Sequence, residues 1–564
     1  MNSVNPTARS RAGLGEGGAR GGPADAGQDA SDQLPVLLAR PQAYPGRHES
    51  VEVRETHISW VFLVGRRAYK LKKPLVLPFL DYSTASRRRE VCHEEVRLNR
   101  RLAPELYLGV RGVVPTSEGV ALANEDDPRA VDYVVEMRRY DERDTVSARL
   151  DRGELMRSEI DRVARRLARF HGSCQRDGGG ERGSVRIGGE VRRNVAELLE
   201  LVEQRRERAR VRLLGGFMAS FVAAHRAELD ARAARGTIRE CHGDLRAEHV
   251  LLRPRVRVVD CVEFDRDLRM LDVADDLAFL AMDLAALGGE RFAVELVEAY
   301  RGAGGDCGED ALVAFFAAHR ALVRAKVLLV RASQRPPGSA AHGHASAQAR
   351  DLIGVAERFS WHARLPLLIV VCGVPASGKT TLARALADRA RLPYLSSDAT
   401  RKRLAGIPSR RHAPLKVYSA EWNARTYAGL GRAAAREFQS QRGVVVDGTF
   451  RHRADRDAFM QAFGAGTPTV YVECRAPSSV LAARAAGRRH EQGQISDAGP
   501  EVVMRERSSW EPLDEPSTAA HVRVRTDLAI DETVDEVMLE LDQRTTAGAP
   551  TSPRAAADAA EIYV

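Results

Sequence analysis

Nine residues, GVPASGKTT (Gly373 to Thr381), constrain the fold of this chain more than any other stretch. They follow the apolar run LLIVVC and precede the helical pattern LARALADRA, so we expect them to join a buried strand to a helix. Glycines let the backbone curl until its N–H groups face a phosphate at the start of the helix. In this context the pattern G-x-x-x-x-G-K-[ST] predicts a loop that binds the phosphates of a nucleotide.

Individual residues around this loop have expected tasks. Lys379 would reach the β- and γ-phosphates, and Thr380 would offer its hydroxyl to Mg²⁺. Asp447, at the end of the apolar run VVVD, would orient the water shell of the metal ion, although an acidic residue that merely ends a strand is the alternative. The predicted ATP-binding residues of the loop are Gly373, Val374, Pro375, Ala376, Ser377, Gly378, Lys379, Thr380 and Thr381.

Two more side chains are candidates for the transfer step. Asp398 ends the run YLSSD, at a carboxyl strand edge where open α/β sheets bind ligands, so it could accept the proton of a hydroxyl acceptor. The alternative is that Asp398 is the N-cap of the next helix. Arg488, with Arg489 beside it, is the candidate catalytic lid arginine that closes over the transferring phosphate, and a solvated surface arginine is the alternative. Arg484 is expected on the same helix face as Arg488.

The pattern of the chain divides it into two ordered segments. From about Leu365, five short apolar strands alternate with helices, which is typical of a parallel sheet covered on both faces. We therefore predict ordered segments over 35–362 and 363–545. The ends, 1–34 and 546–564, have few large apolar side chains to offset the entropy of ordering, so we predict disordered tails there.

The first segment contains CHGDLRAEHVLL, then VRVVDCVEFD, then LDVADDLAF. In this order the three motifs resemble the catalytic segments of aminoglycoside-phosphotransferase-like and protein-kinase-like folds. The resemblance implies an α+β bilobal domain in which Asp244 accepts the proton of the acceptor hydroxyl and Asp260 chelates Mg²⁺. It also implies that His242 braces the loop and that Asp272 and Asp276 anchor it.

The strand AYKLKKP earlier in this segment carries Lys70 and Lys72 on one face, because side chains alternate along a strand. One of them is expected to bind the ATP phosphates and to pair with Glu94 or Glu95 on the helix that follows. We select Lys70, whose A-x-K spacing matches the family lysine, and Glu94. No glycine-rich loop precedes this strand.

His249 departs from the family pattern, because an asparagine that holds a metal ion is expected five residues after Asp244. Imidazole is a poor substitute for an amide oxygen at Mg²⁺. The site would then work with a single metal ion bound by Asp260, or bind Mn²⁺ with His249 as a ligand, or bind nucleotide without transferring a phosphoryl group. His249 could also orient Asp244 or Asp260 through a hydrogen bond. We favour residual catalysis.

The second segment, over 365–545, resembles the small P-loop kinases related to gluconate kinase, polynucleotide kinase and zeta-toxin-type ATPases. The resemblance rests on GVPASGKTT, SSDATRKRLAG, VVVDGTF and an RxxxR helix. Over 36–545 the order of parts is similar to a bacterial two-domain family, an aminoglycoside-phosphotransferase-like domain fused to an ATP-binding P-loop protein. This implies ATP and Mg²⁺ as cofactors and transfer to a hydroxyl, and it leaves the acceptor open.

Composition limits the setting of this chemistry. No run of eighteen apolar residues and no apolar leader is present, so we expect neither a membrane span nor a secretory signal. Seven cysteines without a CxxC pair fit reduced thiols, and we expect a cytoplasmic protein. The net charge is +9, but aromatic residues are only 5% of the chain, so we do not expect nucleic acid as a partner.

The preferred function is an ATP-dependent phosphotransferase that acts on a hydroxyl of a small molecule, with a second kinase-like site around Asp244 and Asp260. The alternative is a kinase-fold half that senses a nucleotide or ligand and regulates the P-loop half. A nucleic-acid 5′-hydroxyl kinase is a further alternative and ranks last. The oligomeric state is left open.

Overall fold

The computed structural model describes residues 33–77, 80–179, 182–408, 411, 413–464, 466–487, 510–513 and 519–547. The predicted tails fall mostly on 1–32 and 548–564, which lie outside the described residues. The chain forms two compact units. The first comprises the chain up to Asp141 together with Val259–Asp265, and the second comprises Glu142–Val258 and the chain from Arg266 onward.

In its described residues, the first unit is an antiparallel six-stranded sheet with one long helix. Its elements are β1 (Glu52–Glu55), β2 (Ser59–Val64), β3 (Arg67–Lys72), the short pair β4 (Val76–Leu77) and β5 (Leu80–Asp81), α1 (Ala85–Asn99), β6 (Tyr107–Thr116), β7 (Gly119–Ala123), β8 (Asp132–Arg138) and a 3₁₀ turn (Pro41–Ala43). The strand order is β1-β2-β3-β8-β6-β7. Residues 33–38 are helical, and Leu34 and Leu38 pack on the sheet.

The two faces of β3 differ in kind because side chains alternate along it. Tyr69 and Leu71 lie in the apolar core with Leu38. Lys70 and Lys72 lie on the opposite face and reach Glu95 of α1. The sheet therefore buries one apolar face and holds charged groups on the other.

The second unit begins with a helical region. Its elements are α2 (Val146–Asp151), α3 (Arg157–Ser173), α4 (Gly183–Leu201), α5 (Arg205–Ala224), α6 (Arg226–Ala234), β9 (Ile238–Glu240), β10 (Val250–Leu251), β11 (Arg257–Val258), β12 (Met270–Asp272), α7 (Val273–Ala286), α8 (Glu290–Gly302), α9 (Asp310–Ser333), α10 (Ala340–His362) and 3₁₀ turns at Glu142–Asp144 and Ala247–His249. The helix α3 buries Ile160, Val163 and Leu167, which recur at helical spacing. The antiparallel pairs β9–β12 and β10–β11 flank the loop 241–249.

The P-loop region of the second unit is an α/β layer. Its elements are β13 (Leu367–Cys372), α11 (Lys379–Ala390), β14 (Tyr394–Ser396), α12 (Ser397–Leu404), α13 (Ala420–Gln441), β15 (Gly443–Asp447), α14 (Arg453–Met460), β16 (Thr469–Arg475), α15 (Ser478–Gly487), β17 (Ala519–Arg525), α16 (Ile530–Ala547) and a 3₁₀ turn at Leu415–Tyr418. The described strands form a five-stranded sheet in the order β14-β15-β13-β16-β17, and every pair is parallel. This confirms the predicted sheet.

Both faces of this sheet are buried, as a parallel sheet requires. Ile369 and Val371 pack with α11 and α16 on one face, and Leu368 and Val370 pack with α13 on the other. The carboxyl ends of the strands gather the polar residues at one edge. Among the described residues, no helix combines the length and the apolar character needed to cross a bilayer.

Candidate functional sites

The phosphate loop joins β13 to α11 through an unusual backbone. Gly373, Ala376 and Gly378 have φ angles of +147°, +67° and +84°. A Cβ atom at Gly373 would lie 2.8 Å from Ser377 Oγ and 2.9 Å from the carbonyl oxygen of Cys474, so only glycine fits there. The tight curl that the sequence pattern predicted is therefore present.

A hydroxyl and a carboxylate lie side by side next to this loop. The hydroxyl of Thr380 donates a hydrogen bond to the buried carboxylate of Asp447, and Tyr394 donates to the other carboxylate oxygen at 3.0 Å. Lys379 Nζ turns back to the carbonyl oxygen of Val374, 3.4 Å away. Hydroxyl and carboxylate oxygens are the ligands that Mg²⁺ prefers, so this pair fits the metal ion that the sequence implies.

Asp398 is the second residue of α12, whose N-cap is Ser396. It is therefore not the N-cap that the alternative interpretation required. Burial raises the pKa of Asp398, Lys379 and Arg401 act in the opposite direction, and Asp447 adds to the rise. A carboxyl group with a raised pKa is better matched to accepting a proton near neutral pH.

The predicted lid arginines, Arg488 and Arg489, lie outside the described residues. The arginine that the structure places at the loop is Arg484 on α15. Its Nη2 donates to the carbonyl oxygen of Thr526 at 2.6 Å. Its Nη1 lies 3.3 Å from the point that a Cβ atom would occupy if Gly378 had a side chain. Within the described part of the chain, that buried Nη1 has no hydrogen-bond partner, which fits an anionic ligand at the loop.

In the first unit, Lys70 pairs with Glu95 and not with Glu94. Lys70 Nζ lies 2.9 Å from Glu95 Oε1 and 2.8 Å from Asp260 Oδ1. Glu94 instead pairs with Arg97 on the outer side of α1 at 2.6 Å. The choice of Glu94 is corrected by helix geometry, because neighbouring residues of a helix point about 100° apart and only Glu95 faces β3.

In the second unit, a guanidinium group holds both carboxylate oxygens of Asp244. Arg246 Nε lies 2.9 Å from Asp244 Oδ1, and its Nη2 lies 3.0 Å from Oδ2. Burial alone would raise the pKa of Asp244, but Arg246, ahead of His249 and Arg324, holds it below its ordinary value. Asp244 is therefore an ion-paired carboxylate.

Both ring nitrogens of His249 are engaged within the same loop. Nδ1 lies 2.9 Å from the main-chain oxygen of Asp244, and Nε2 lies 3.0 Å from Arg246 Nη2. With Nδ1–H donating to the carbonyl, the lone pair of Nε2 accepts from the guanidinium. This geometry does not support His249 as a metal ligand. His249 contacts Asp244 through its main-chain oxygen and through Arg246, and its role in orienting the Asp244 carboxylate stays a prediction.

Asp276 anchors the loop from α7, as the motif resemblance implied. Its carboxylate accepts from the main-chain N–H groups of His242 at 3.1 Å and Gly243 at 2.9 Å, and it lies 3.1 Å from His171 Nε2. Burial opposes ionisation, yet the hydrogen bond and charge of His171 and the other donors lower the pKa of Asp276 to about 2. Asp272 caps α7 through the N–H of Ala274 at 2.8 Å.

Two features of these sites had no clear signal in the sequence. One is the ion pair between Arg246 and Asp244, which lies directly before the 3₁₀ turn Ala247–His249. Tyr394 reaches Asp447 because β14 and β15 are parallel neighbours with Ser396 opposite Asp447. Only the register of the sheet could have shown the second contact.

Comparison with known proteins identifies both parts of the chain. Residues 61–311 match the Phosphotransferase enzyme family (APH), and residues 368–513 match an AAA domain. Proteins of Mycobacterium tuberculosis and Mycobacterium bovis are 34% identical to this chain over 467 residues, which is 80% of this chain and 89% of theirs. Both relatives are described as uncharacterized proteins.

Solved structures are also similar to parts of the chain. A choline/ethanolamine kinase family protein from Mesorhizobium loti is 16% identical, covers 60% of this chain and 98% of its own, and has a TM-score of 0.35. A gluconokinase from Sinorhizobium meliloti is 24% identical, covers 33% and 96%, and has a TM-score of 0.23. Since the family matches and the mycobacterial relatives span both parts, this chain belongs to a family of two-domain proteins in which a phosphotransferase domain of the APH family precedes a P-loop AAA domain.

Proposed function

We propose that this protein transfers the γ-phosphoryl group of ATP to a hydroxyl of a small molecule at the P-loop domain. The observation that carries the proposal is the hydrogen bond between Thr380 and Asp447. It lies next to the phosphate loop, whose Gly373 and Gly378 have positive φ angles. The unpartnered Nη1 of Arg484 at the same loop supports it, within the described residues, because a phosphate would supply the missing acceptor.

In this mechanism the N–H groups of the loop and Lys379 bind the phosphates, and Lys379 leaves the carbonyl of Val374 to do so. Thr380 and Asp447 would hold Mg²⁺, which neutralises charge on the phosphates when it is bound. Asp398 accepts the proton of the acceptor hydroxyl, which its raised pKa favours. Arg488 remains a proposed lid residue on sequence grounds.

The kinase-fold domain would provide a second nucleotide site. Lys70, held by Glu95, would bind phosphate, Asp260 would hold the metal ion, and Asp244 would be the base. The ion pair with Arg246 stabilises the ionised form of Asp244, which makes this carboxylate a weaker proton acceptor. This ion pair favours the second candidate function, in which the kinase-fold half binds nucleotide and regulates the P-loop half without transferring phosphate.

The test is ATP consumption against a library of hydroxyl-bearing metabolites, with wild type, Lys379→Ala, Asp244→Asn and the control Lys326→Ala, a lysine on α9 that pairs with Glu197. We expect at least one metabolite to cause ATP consumption by wild type, by Asp244→Asn and by the control. We expect Lys379→Ala to show no ATP consumption with that metabolite. Absence of turnover with every acceptor, together with unchanged ATP binding in Lys379→Ala, would contradict the proposal.

A further inference from the structure

Five charged side chains in the first unit form a line of alternating sign. Lys70 bridges Asp260 at 2.8 Å and Glu95 at 2.9 Å. Lys72 continues the line, 2.5 Å from the other oxygen of Glu95 and in contact with Glu263. The hydroxyl of Tyr82 closes the far end by donating to Glu263 at 3.2 Å. We call the pair Lys72–Glu263 the inner pair.

Exposure changes along this line. The side chains of Glu95 and Lys72 are 0% exposed and that of Glu263 is 6% exposed, whereas that of Asp260 is 37% exposed. The line therefore runs from the buried inner pair to the partly exposed Asp260.

Asp260 has a backbone conformation that needs support. Its φ angle is +60°, in the left-handed region that residues other than glycine rarely adopt. The N–H of Asp260 donates to Tyr107 at 3.2 Å, and the N–H of Cys261 donates to Asn99 at 3.0 Å. A conformation of this kind persists only where its surroundings fix it on several sides.

The inner pair supplies a further fixed point on the same segment. Asp260 and Glu263 are three residues apart on Val259–Asp265, and Lys70 and Lys72 are two residues apart on one face of β3. The segment is therefore tied to the strand at both ends of this short span. The ion pair Lys70–Asp260 consists of the two residues that would bind a metal–nucleotide. The inner pair contains neither of these residues.

We propose that Glu263 is a positioning residue: through Lys72 it fixes Val259–Asp265 on β3 before any ligand binds, and so holds Asp260 ready for the metal ion of a metal–nucleotide. The inference deepens the proposed function, because it rests on the metal role of Asp260. If Glu263 has this role, Asp260 is already in its metal-binding position before nucleotide binds, and nucleotide is not needed to bring it there.

The test uses the full chain with Lys379→Ala, so that nucleotide bound at the P-loop does not contribute to the signal. It measures binding of a fluorescent ATP analogue while the Mg²⁺ concentration is varied. The decisive variant adds Lys72→Met and Glu263→Gln together. It removes one positive and one negative charge, so the net charge of the line is unchanged while the tie is lost. We expect the Mg²⁺ concentration at half-maximal binding to rise about tenfold or more, the usual effect of losing a group that orients a metal ligand.

A neighbouring ion pair provides the matched control. Lys73, next to Lys72, lies 2.5 Å from the exposed Glu55, so Lys73→Met with Glu55→Gln removes the same charges at the surface. We expect this variant to keep the Mg²⁺ requirement of the Lys379→Ala background. Tyr82→Phe is the mild variant, which removes only the hydrogen bond to Glu263, and we expect a rise of about threefold.

Thermal unfolding of each variant separates positioning from general destabilisation. A lower melting temperature with an unchanged Mg²⁺ requirement in the double variant would overturn the proposal. If the double variant does not fold, an unchanged Mg²⁺ requirement in Tyr82→Phe would overturn it. Asp260→Asn tests the underlying function separately: binding that keeps its Mg²⁺ dependence in that variant would remove the metal role of Asp260, whatever the inner pair does.

Discussion

The two carboxylates proposed as bases, Asp398 in the P-loop domain and Asp244 in the kinase-fold domain, have opposite electrostatic surroundings. Burial raises the pKa of Asp398, and the nearby Asp447 adds to the rise. Burial also acts on Asp244, but Arg246 outweighs it and the pKa falls. A carboxylate with a lowered pKa and both oxygens in an ion pair is a weaker proton acceptor. The comparison indicates that the P-loop site is the better prepared of the two for proton transfer.

The two carboxylates proposed to hold metal ions, Asp447 and Asp260, also differ in what they contact. Asp447 accepts hydrogen bonds from two neutral hydroxyls, those of Thr380 and Tyr394, which leave its negative charge available to a cation. Asp260 is bound by an ammonium group, that of Lys70. A metal ion at Asp260 must therefore share the carboxylate with Lys70, whereas a metal ion at Asp447 has no cation in contact to displace among the contacts described for that carboxylate.

The largest expected effect is that of Asp398→Asn on turnover. Loss of a general base lowers kcat by about 10² to 10⁴ while ATP binding is retained. Since the base acts deprotonated, the wild-type rate should fall as pH drops through the pKa of Asp398, and this fall should begin above the range of an ordinary aspartate. A pH–rate profile for both proteins checks the prediction, with the exposed Asp388→Asn as the control.

A kcat of Asp398→Asn within a few-fold of wild type would break the comparison. The same would follow if the acid limb of the pH–rate profile were unchanged in that variant. Either result would move the proton-accepting role to another group.

The next effect concerns the ion pair that sets Asp244 apart. A double-mutant cycle with Arg246→Gln and Asp244→Asn, followed by unfolding at pH 7, should give a coupling of about 1.5 to 3 kcal/mol, as for hydrogen bonds to charged groups. Because the folded pKa of Asp244 is lowered, this stability is present above the unfolded pKa and is lost as pH falls through the folded pKa. A coupling near zero at pH 7 would mean that Arg246 does not restrain Asp244.

The smallest expected effect is that of Tyr394→Phe at the metal position of the P-loop domain. The variant removes one neutral hydrogen bond, 3.0 Å long, from Asp447 Oδ1. One such bond contributes about 1 kcal/mol, so the Mg²⁺ concentration needed for half-maximal turnover should rise about fivefold. Tyr133→Phe, on β8 of the first unit, is the control. An unchanged Mg²⁺ requirement in Tyr394→Phe would show that Asp447 is positioned without it.

The sequence predicted the P-loop region well because its signals are local. Continuous apolar runs predicted buried strands, and the glycine spacing predicted the loop whose backbone has positive φ at Gly373 and Gly378. The catalytic-loop anchor was also predictable, since the motif resemblance already singled out Asp276. Such features depend on a few neighbouring residues or on a known motif.

The sequence could not predict side-chain directions that depend on how the surrounding chain folds and packs. Glu94 and Glu95 are equivalent by spacing, and only the orientation of α1 on the sheet selects Glu95. His249 looked like a metal ligand by position, but the fold of its loop turns both nitrogens to Arg246 and the main chain. Arg484 reaches the phosphate loop because Thr526, on a distant part of the chain, holds it there.

The most direct test of the central claim compares phosphoryl transfer in Asp447→Asn and Asp244→Asn with the same acceptor. If the P-loop domain performs the transfer, Asp447→Asn should lose about 10² to 10³ of the rate, and Asp244→Asn should keep a rate within a few-fold of wild type. The opposite result, transfer retained in Asp447→Asn and lost in Asp244→Asn, would place the chemistry in the kinase-fold domain and contradict the account.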